Sequence, residues 1–329
     1  MEHSMPEITI AEIRRLSETA LLRHGADSRA AEIMADAITW AEARGNRICG
    51  LYYLESYCKQ LSSGRIKSAA SPKIVRERSA VLKVNADDGF AQVAFDSALE
   101  QATSIAKENG IASLNIGRSH TCTALGWFTE RAAEQGLIAI GMTNASPIVA
   151  PPGGSKRIIG TNPIAFAVPD GTGRVAFAFD QATTAVTLGA VNMAKEAGRT
   201  IPEGWAVDSK GQPTSDPEKA LKGSLTSTGG PKGWGIGLMV EILAAGLTGG
   251  KLSTDVQPLK APTGDPHDLA QVFILIDPNT SPEFEARLAG LIDAVEDDGQ
   301  GRLTGRNRKL ATEISVPPDL WKTCSSLAD

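Results

Sequence analysis

The periodicity of the apolar residues changes at Pro72, and that change restricts the chain to a mixed α/β architecture. Ahead of it, residues 8–24 place Ile10, Ile13, Leu16, Leu21 and Leu22 at helical spacing and stop at His24-Gly25, a helix C-terminal signal. Asp27 or Ser28 can cap a second helix through Ile33, Met34, Ala37, Ile38 and Ala41, which ends at Arg44-Gly45. Residues 51–61 continue as a third helix bearing aromatic side chains. Beyond Pro72, Ile74-Val75-Arg76-Glu77 and Ala80-Val81-Leu82-Lys83-Val84 read as short strands, with Asp87-Asp88-Gly89 a turn. A boundary is expected there, dividing a helical part, 1–72, from a mixed-sheet part, 73–280, with C-terminal helices in 281–329 returning to the first.

The remaining pattern mixes both element types. An Ala-rich helix over 92–108 closes at Asn109-Gly110, a strand over 111–116 follows, then a helix over 124–134 and an apolar strand over 137–143. Pro151-Pro152-Gly153-Gly154 is loop; strands are expected over 164–168 and 175–180, a helix over 186–197, and a glycine-rich turn with an apolar helix over 229–250. The regular βαβ repeat of roughly 30 residues that builds a doubly wound dinucleotide fold is absent. Gly233-Trp234-Gly235-Ile236-Gly237 has the wrong glycine spacing for a Rossmann fingerprint, and Gly249-Gly250-Lys251-Leu252 lacks the hydroxyl of a phosphate loop.

With 42% hydrophobic and 22% charged residues and a net charge of -5, the 329-residue chain is composed like an acidic globule, which argues against nucleic acid as a partner. Cys49, Cys58, Cys122 and Cys324 are scattered without a C-x-x-C pair, so free thiols are expected and no metal site. The polar start and the lack of an apolar run of ~20 residues give no signal peptide or membrane span, and the expected location is cytoplasmic. Of four histidines, His3 lies at the N-terminus, His24 at a helix end and His267 in a loop after Pro266; only His120 stands where chemistry is expected. It ends a strand and precedes a turn, 121–125, that leads into a helix. That turn is either an ordinary strand-to-helix connection or a pyrophosphate seat, because helix N-termini present unpaired amides.

Ser119-His120, Ala124-Leu125-Gly126-Trp127, Ala150-Pro151-Pro152-Gly153-Gly154, Gly160-Thr161-Asn162-Pro163, Asp180-Gln181-Ala182-Thr183-Thr184, Pro202-Glu203-Gly204-Trp205-Ala206 and Gly229-Gly230-Pro231-Lys232-Gly233-Trp234-Gly235 occur in this order. Together they resemble the malate/L-lactate dehydrogenase type 2 family, NAD(P)-dependent enzymes of non-Rossmann fold that include Δ1-pyrroline-2-carboxylate and Δ1-piperideine-2-carboxylate reductases. The resemblance covers nearly the whole chain. It implies that 1–72 is a substrate and dimer domain and 73–280 an NAD(P)-binding domain. It also implies cofactor contacts from His120, Thr121, Cys122, Thr123, Ala124 and Leu125, from Phe179, Asp180 and Gln181, from Lys232, and from the loop Gly305, Arg306, Asn307, Arg308 and Lys309. The three cations of that loop suit the 2′-phosphate of NADPH, the expected cofactor, with NADH the alternative; otherwise the loop is a solvated turn. A homodimer is implied, and the apolar helix over 238–247 is either its interface or a core helix.

The chain departs from the family where the chemistry is expected. Matching Arg44-Gly45 and Gly50 puts Ile48 at the family's serine, Cys49 at its proton-donating histidine and Tyr53 at its substrate-binding arginine, and matching Asp180-Gln181-Ala182-Thr183-Thr184 puts Ala190 at its charge-relay aspartate. Serine and aspartate serve to orient and charge the histidine, so their joint loss is coherent. Cys49 either donates a proton or is a small buried hydrophobe, and a thiol near pKa ~8.5 suits the task less well than an imidazole near ~6.5. Tyr53 offers a neutral hydrogen bond, and Arg47, Arg44 and Thr161 are further candidates for a substrate carboxylate. His120 either orients the cofactor or is structural. A cyclic imine arrives protonated on nitrogen and needs no acid in the hydride step, so reduction of a small cyclic 2-imino carboxylate is the expected activity. A 2-hydroxyacid dehydrogenase with a rebuilt site and a cofactor-binding protein without turnover are the alternatives.

Overall fold

The computed structural model describes residues 5–329. A short strand β1 (Glu7–Thr9) leads into three helices, α1 (Ile10–Arg23), α2 (Ser28–Ala43) and α3 (Leu51–Ser62). Each starts where a side-chain oxygen meets its first amides. Thr9 and Glu12 form a capping box on α1, and Asp27 accepts from the Ala30 amide on α2. On α3 the cap is distant in sequence: the buried Glu42 carboxylate accepts the Leu51 amide at 2.7 Å.

Strands β2 (Lys73–Arg78) and β3 (Val81–Asn85) open the main sheet. Helix α4 (Ala91–Asn109) ends at Gly110 in the left-handed conformation, followed by β4 (Ile111–Ser119), α5 (Gly126–Glu134), β5 (Ile138–Thr143), β6 (Ile164–Pro169) and β7 (Val175–Gln181). A satellite lobe contains α6 (Leu188–Glu196), β8 (Ala206–Val207), α7 (Pro217–Lys222) and β9 (Ser224–Leu225), and α8 (Pro231–Glu241) runs on through a π-helical turn at Ile242–Gly246. The chain closes with β10 (Leu269–Ile276), α9 (Phe284–Glu296), β11 (Glu313–Ser315) and α10 (Pro318–Ala328).

The sheet order is β2-β3-β4-β10-β5-β6-β7, and only β3 and β4 run parallel. A mostly antiparallel sheet cannot be a doubly wound dinucleotide fold, which agrees with the missing βαβ repeat. Its central strand, β10, lies on a segment to which the periodicity assigned nothing. Five consecutive residues from Leu269 are buried, so both faces are covered and no alternation marks the strand.

Phe95, Phe128 and Phe273 pack in this core with ring centroids 4.9–5.2 Å apart. The same apolar core continues into Leu21, Met34, Ile38 and Leu54 of the first helices, across residue 72. Helix α10 packs against α1 and α3, and β1 pairs with β11. Helix α9 instead borders a cavity with Pro169 and Ala176. No helix among the described residues is long and apolar enough to cross a membrane.

Candidate active site

The candidate residues gather where the 3-10 turn Arg47–Cys49, α3, the segment between β4 and α5, and the end of β7 come together. Cys49 is half-buried; desolvation, and next the negative charge of Asp180, push its thiol up to about 12. Desolvation, and then the neighbouring Cys49 and Cys122, also raise the Tyr53 hydroxyl, so both groups keep their protons at neutral pH. Asp180 is exposed at its surface, yet protein atoms crowd its carboxyl. That crowding raises its carboxyl to about 6, against the hydrogen bonds from the Gly126 and Leu125 amides that lower it. The Gly126 amide donates to it at 2.8 Å, so Asp180 itself occupies the first amides of α5, and the pyrophosphate seat expected over 121–125 is shortened at its end.

Ile48 extends from the 3-10 turn to α6: a Cβ built on Gly189 would lie 3.3 Å from Ile48 Cδ1. Position 48 and the residue next to Ala190 are therefore side by side, and the pair carries no polar side chain. Position 48 thus lies beside the helix that carries Ala190.

His120 is buried, and its surroundings set its tautomer. The Gln60 amide nitrogen donates to the carbonyls of Leu259 at 2.8 Å and Ala261 at 2.7 Å, so its oxygen faces His120 Nε2 at 2.7 Å, and that nitrogen carries the hydrogen. His120 Nδ1 is then a bare acceptor, buried and without a partner. His267 lies in a loop, as expected, but is buried and stacked on His120 with ring centroids 4.0 Å apart, and it accepts the Thr121 amide at 3.3 Å. Burial holds His120 well below the ordinary imidazole value and brings His267 to about 3, so the pair is neutral.

The connecting segment continues in strained backbone. Thr123, a β-branched residue, has φ 52°, held by its own hydroxyl donating to the Cys122 carbonyl at 2.7 Å and accepting from Tyr57 at 3.2 Å. Asn162, next to Thr161, and Asn307, within the 305–309 loop, are left-handed as well, as are Asp87, Asp88, Arg118 and Asp268 elsewhere. The amides of Cys122, Thr123 and Ala124 donate to no protein acceptor among the described residues, although Cys122 and Ala124 are buried. Three adjacent amides without acceptors and the bare His120 Nδ1 fit a dinucleotide with a pyrophosphate and polar ring substituents.

Thr161 and Lys232 belong to a second set of segments, tied together by the backbone. The Thr161 carbonyl accepts from the Thr183 amide at 3.0 Å, the Thr183 carbonyl accepts from Thr228, and Thr228 leads through Gly229-Gly230 into α8, where Lys232 is exposed. Asn162 bonds to Glu241 Oε2 at 2.8 Å and pins this segment to α8. The 305–309 loop lies along β7, with the Ala178 amide donating to the Thr304 carbonyl just before it, and so runs beside Phe179, Asp180 and Gln181. Arg306 is committed to Glu296 at 2.6 Å, and Arg308 and Lys309 are exposed and without an ion pair among the described residues.

Arg44, a candidate for the substrate carboxylate, is excluded: it pairs with Glu130 at 2.5 Å and lies over the Trp40 ring at 4.2 Å. Arg47 is exposed on the 3-10 turn near Glu42. The cation that does reach Tyr53 is Lys260, its Nζ 4.4 Å from the ring centroid. Nothing local in Leu259-Lys260-Ala261-Pro262 signals this contact, which spans about two hundred residues of sequence. A cavity of about 550 Å³ under α9 touches the candidate site only through Arg306 and contains none of the other candidate residues.

Residues 8–323 match the malate/L-lactate dehydrogenase family. The chain is 34% identical over 311 residues to a Δ1-pyrroline-2-carboxylate/Δ1-piperideine-2-carboxylate reductase of Pseudomonas putida, covering 94% of this chain and 91% of that one. It is 35% identical over 302 residues to a (2R)-3-sulfolactate dehydrogenase (NADP(+)) of Chromohalobacter salexigens, covering 92% and 90%. Among solved structures, Δ1-piperideine-2-carboxylate reductase from Pseudomonas syringae pv. tomato superposes with a TM-score of 0.89 at 33% identity, over 98% of this chain and 99% of that one. The reductases and dehydrogenases of this group use nicotinamide cofactors. Because the match takes in the helical N-terminal part and the antiparallel sheet, the chain belongs to the malate/L-lactate dehydrogenase family of oxidoreductases.

Proposed function

We propose that this protein reduces a small cyclic 2-imino carboxylate, of the Δ1-pyrroline-2-carboxylate or Δ1-piperideine-2-carboxylate type, with NADPH. The observation that carries the reading is the protonation state of the candidate site. Cys49 holds its proton to about pH 12, Tyr53 holds its own above the ordinary phenol range, and His120 is neutral with Nε2–H committed to Gln60. None of these is an acid matched to a developing alkoxide at neutral pH. An iminium already bears its proton, and the ionised Asp180 favours a cation nearby. The relatives named for cyclic imines support the same substrate class.

The reduced nicotinamide, when bound, supplies a hydride to the imine carbon. The amides of Cys122, Thr123 and Ala124 would hold the pyrophosphate, with His120, Leu125, Phe179, Gln181 and Lys232 around the remainder. Arg308 and Lys309, free of ion pairs among the described residues, would take the 2′-phosphate; Gly305 and Asn307 shape their loop, and these two cations are the reason for preferring NADPH to NADH. Thr161 and Tyr53 offer neutral hydrogen bonds to the substrate. The four free thiols suit a cytoplasmic site of action. A second copy of the chain would cover the exposed Ile236, Met239, Ile242 and Leu247 along α8 and its π turn, giving a homodimer.

The test is the absorbance of the reduced cofactor with Δ1-pyrroline-2-carboxylate, Δ1-piperideine-2-carboxylate, pyruvate, oxaloacetate and sulfopyruvate. Turnover of at least one cyclic imine is expected, with kcat/KM for NADPH above that for NADH by about tenfold or more. Oxidation of the cofactor by a 2-oxo acid in preference to both imines, or by no substrate at all, would refute the assignment.

A further inference from the structure

We infer that Lys260 binds the carboxylate of the substrate, an assignment that rests on the reaction proposed above. Lys260 lies in the loop 257–267, far in sequence from α3 yet strapped to it. Gln60 donates to the Leu259 and Ala261 carbonyls, the Ser63 hydroxyl to the Pro262 carbonyl at 2.8 Å, and Arg65 to the carbonyls of Pro258 at 3.1 Å, Ala261 at 2.6 Å and Asp265 at 3.0 Å. Gln60 and Arg65 are 0% and 2% exposed, so the strap is anchored in the interior. Carbonyls on both sides of residue 260 are thereby fixed, and the lysine is directed over α3 before any ligand arrives.

The ammonium group is placed and incompletely used. It sits 4.4 Å from the centroid of the Tyr53 ring and donates to the Tyr52 carbonyl at 3.2 Å. One of its three hydrogens is thus engaged, and among the described residues no carboxylate lies within ion-pair distance. A cation fixed beside an aromatic face, with hydrogens to spare and no acid partner, is a receptor for an anion. Its position next to Tyr53 and within the field of Cys49 brings it to the candidate catalytic residues. Competing cations are engaged elsewhere: Arg44 with Glu130, Arg118 with Asp88, Arg131 with Asp36, and Arg65 with backbone carbonyls. Lys232 on α8 and Arg308 and Lys309 of the 305–309 loop are assigned above to the cofactor, and Arg47, the remaining rival, belongs to a short turn with no such strap. Desolvation, which lowers the lysine's proton affinity, makes an incoming carboxylate more favourable to it. Tyr53, its hydroxyl kept protonated, supplies a second donor to the same group.

The measurement is a steady-state comparison of wild type, Lys260→Met, Lys260→Arg and Arg47→Gln with NADPH and either Δ1-piperideine-2-carboxylate or Δ1-piperideine, the same ring without the carboxylate. Lys260→Met is expected to raise KM for the carboxylated ring roughly tenfold to hundredfold, with little effect on the slower turnover of the bare ring or on KM for NADPH. Lys260→Arg should recover part of the loss. An equal loss with both rings, or the KM effect appearing in Arg47→Gln in place of Lys260→Met, would overturn the assignment. If wild type reduces neither ring, the reaction itself is refuted, and calorimetry of pyrrole-2-carboxylate against pyrrole, with NADP+ present, then tests the anion site alone. Binding of the carboxylate that Lys260→Met abolishes would support the site; binding that it leaves intact would refute it.

Discussion

Asp180 accepts the Gly126 amide and sits within reach of the fields of Cys49 and Cys122. In the folded protein its carboxyl keeps its proton to about pH 6, whereas an unfolded aspartate loses it near pKa ~3.9. The folded state therefore binds more protons between those values, and this residue's contribution to stability is lost as pH rises through that window. Asp180→Asn keeps an acceptor for the amide without the titration. The difference in urea midpoint, variant minus wild type, should grow from pH 4 to pH 7; a constant difference would show that the carboxyl does not titrate there. The residues at 48, 49, 53 and 190 were legible as departures from a pattern, because each sits in a segment whose neighbours identify it. Lys260 and His267 were not, because their roles come from contacts with Tyr53 and His120 that no local spacing encodes.

Helices and strands were legible wherever one face meets solvent, as in α1, α2 and α3, and the caps at Thr9 and Asp27 lie where they end the apolar repeat. Strand β10 was hidden by burial on both faces, and the cap of α3 by its origin in Glu42, in another helix. That cap constrains the candidate site through Gly50, the residue between the 3-10 turn and α3. A Cβ there would lie 2.2 Å from Glu42 Oε1, so Gly50→Ala must displace a buried carboxylate from the Leu51 amide. Loss of the cap and of the carboxylate's partner should lower stability by about 2–3 kcal/mol, read as a lower denaturant midpoint at unchanged m-value. A midpoint within error of wild type would mean that the carboxylate moves without cost. Lys260 should be insensitive to this change, since its loop is anchored through Gln60 near the end of α3 and Arg65 just beyond it.

A continuous apolar core joins the first helices, the sheet and α10, so the change of periodicity at Pro72 marks a change of element type within one packed interior. Outside that core, Ile236, Met239, Ile242 and Leu247 remain exposed, 43–65% of each, on α8 and its π turn. If a second copy covers them, Ile242→Glu places a charge in an apolar contact and should convert the dimer to monomer in light scattering at micromolar concentration, with the circular dichroism of the fold retained. An unchanged mass would remove α8 from the interface. The sequence by itself determined the mixed architecture, the exclusion of a doubly wound sheet and the family, because periodicity, caps and ordered segments are local properties of the chain. Only the tertiary structure decided that β10 is the centre of the sheet, that His267 stacks on His120, that Arg44 and Arg306 are already paired, and that Lys260 stands over Tyr53. Each of those is a contact between distant segments, specified by packing and hydrogen bonding in three dimensions.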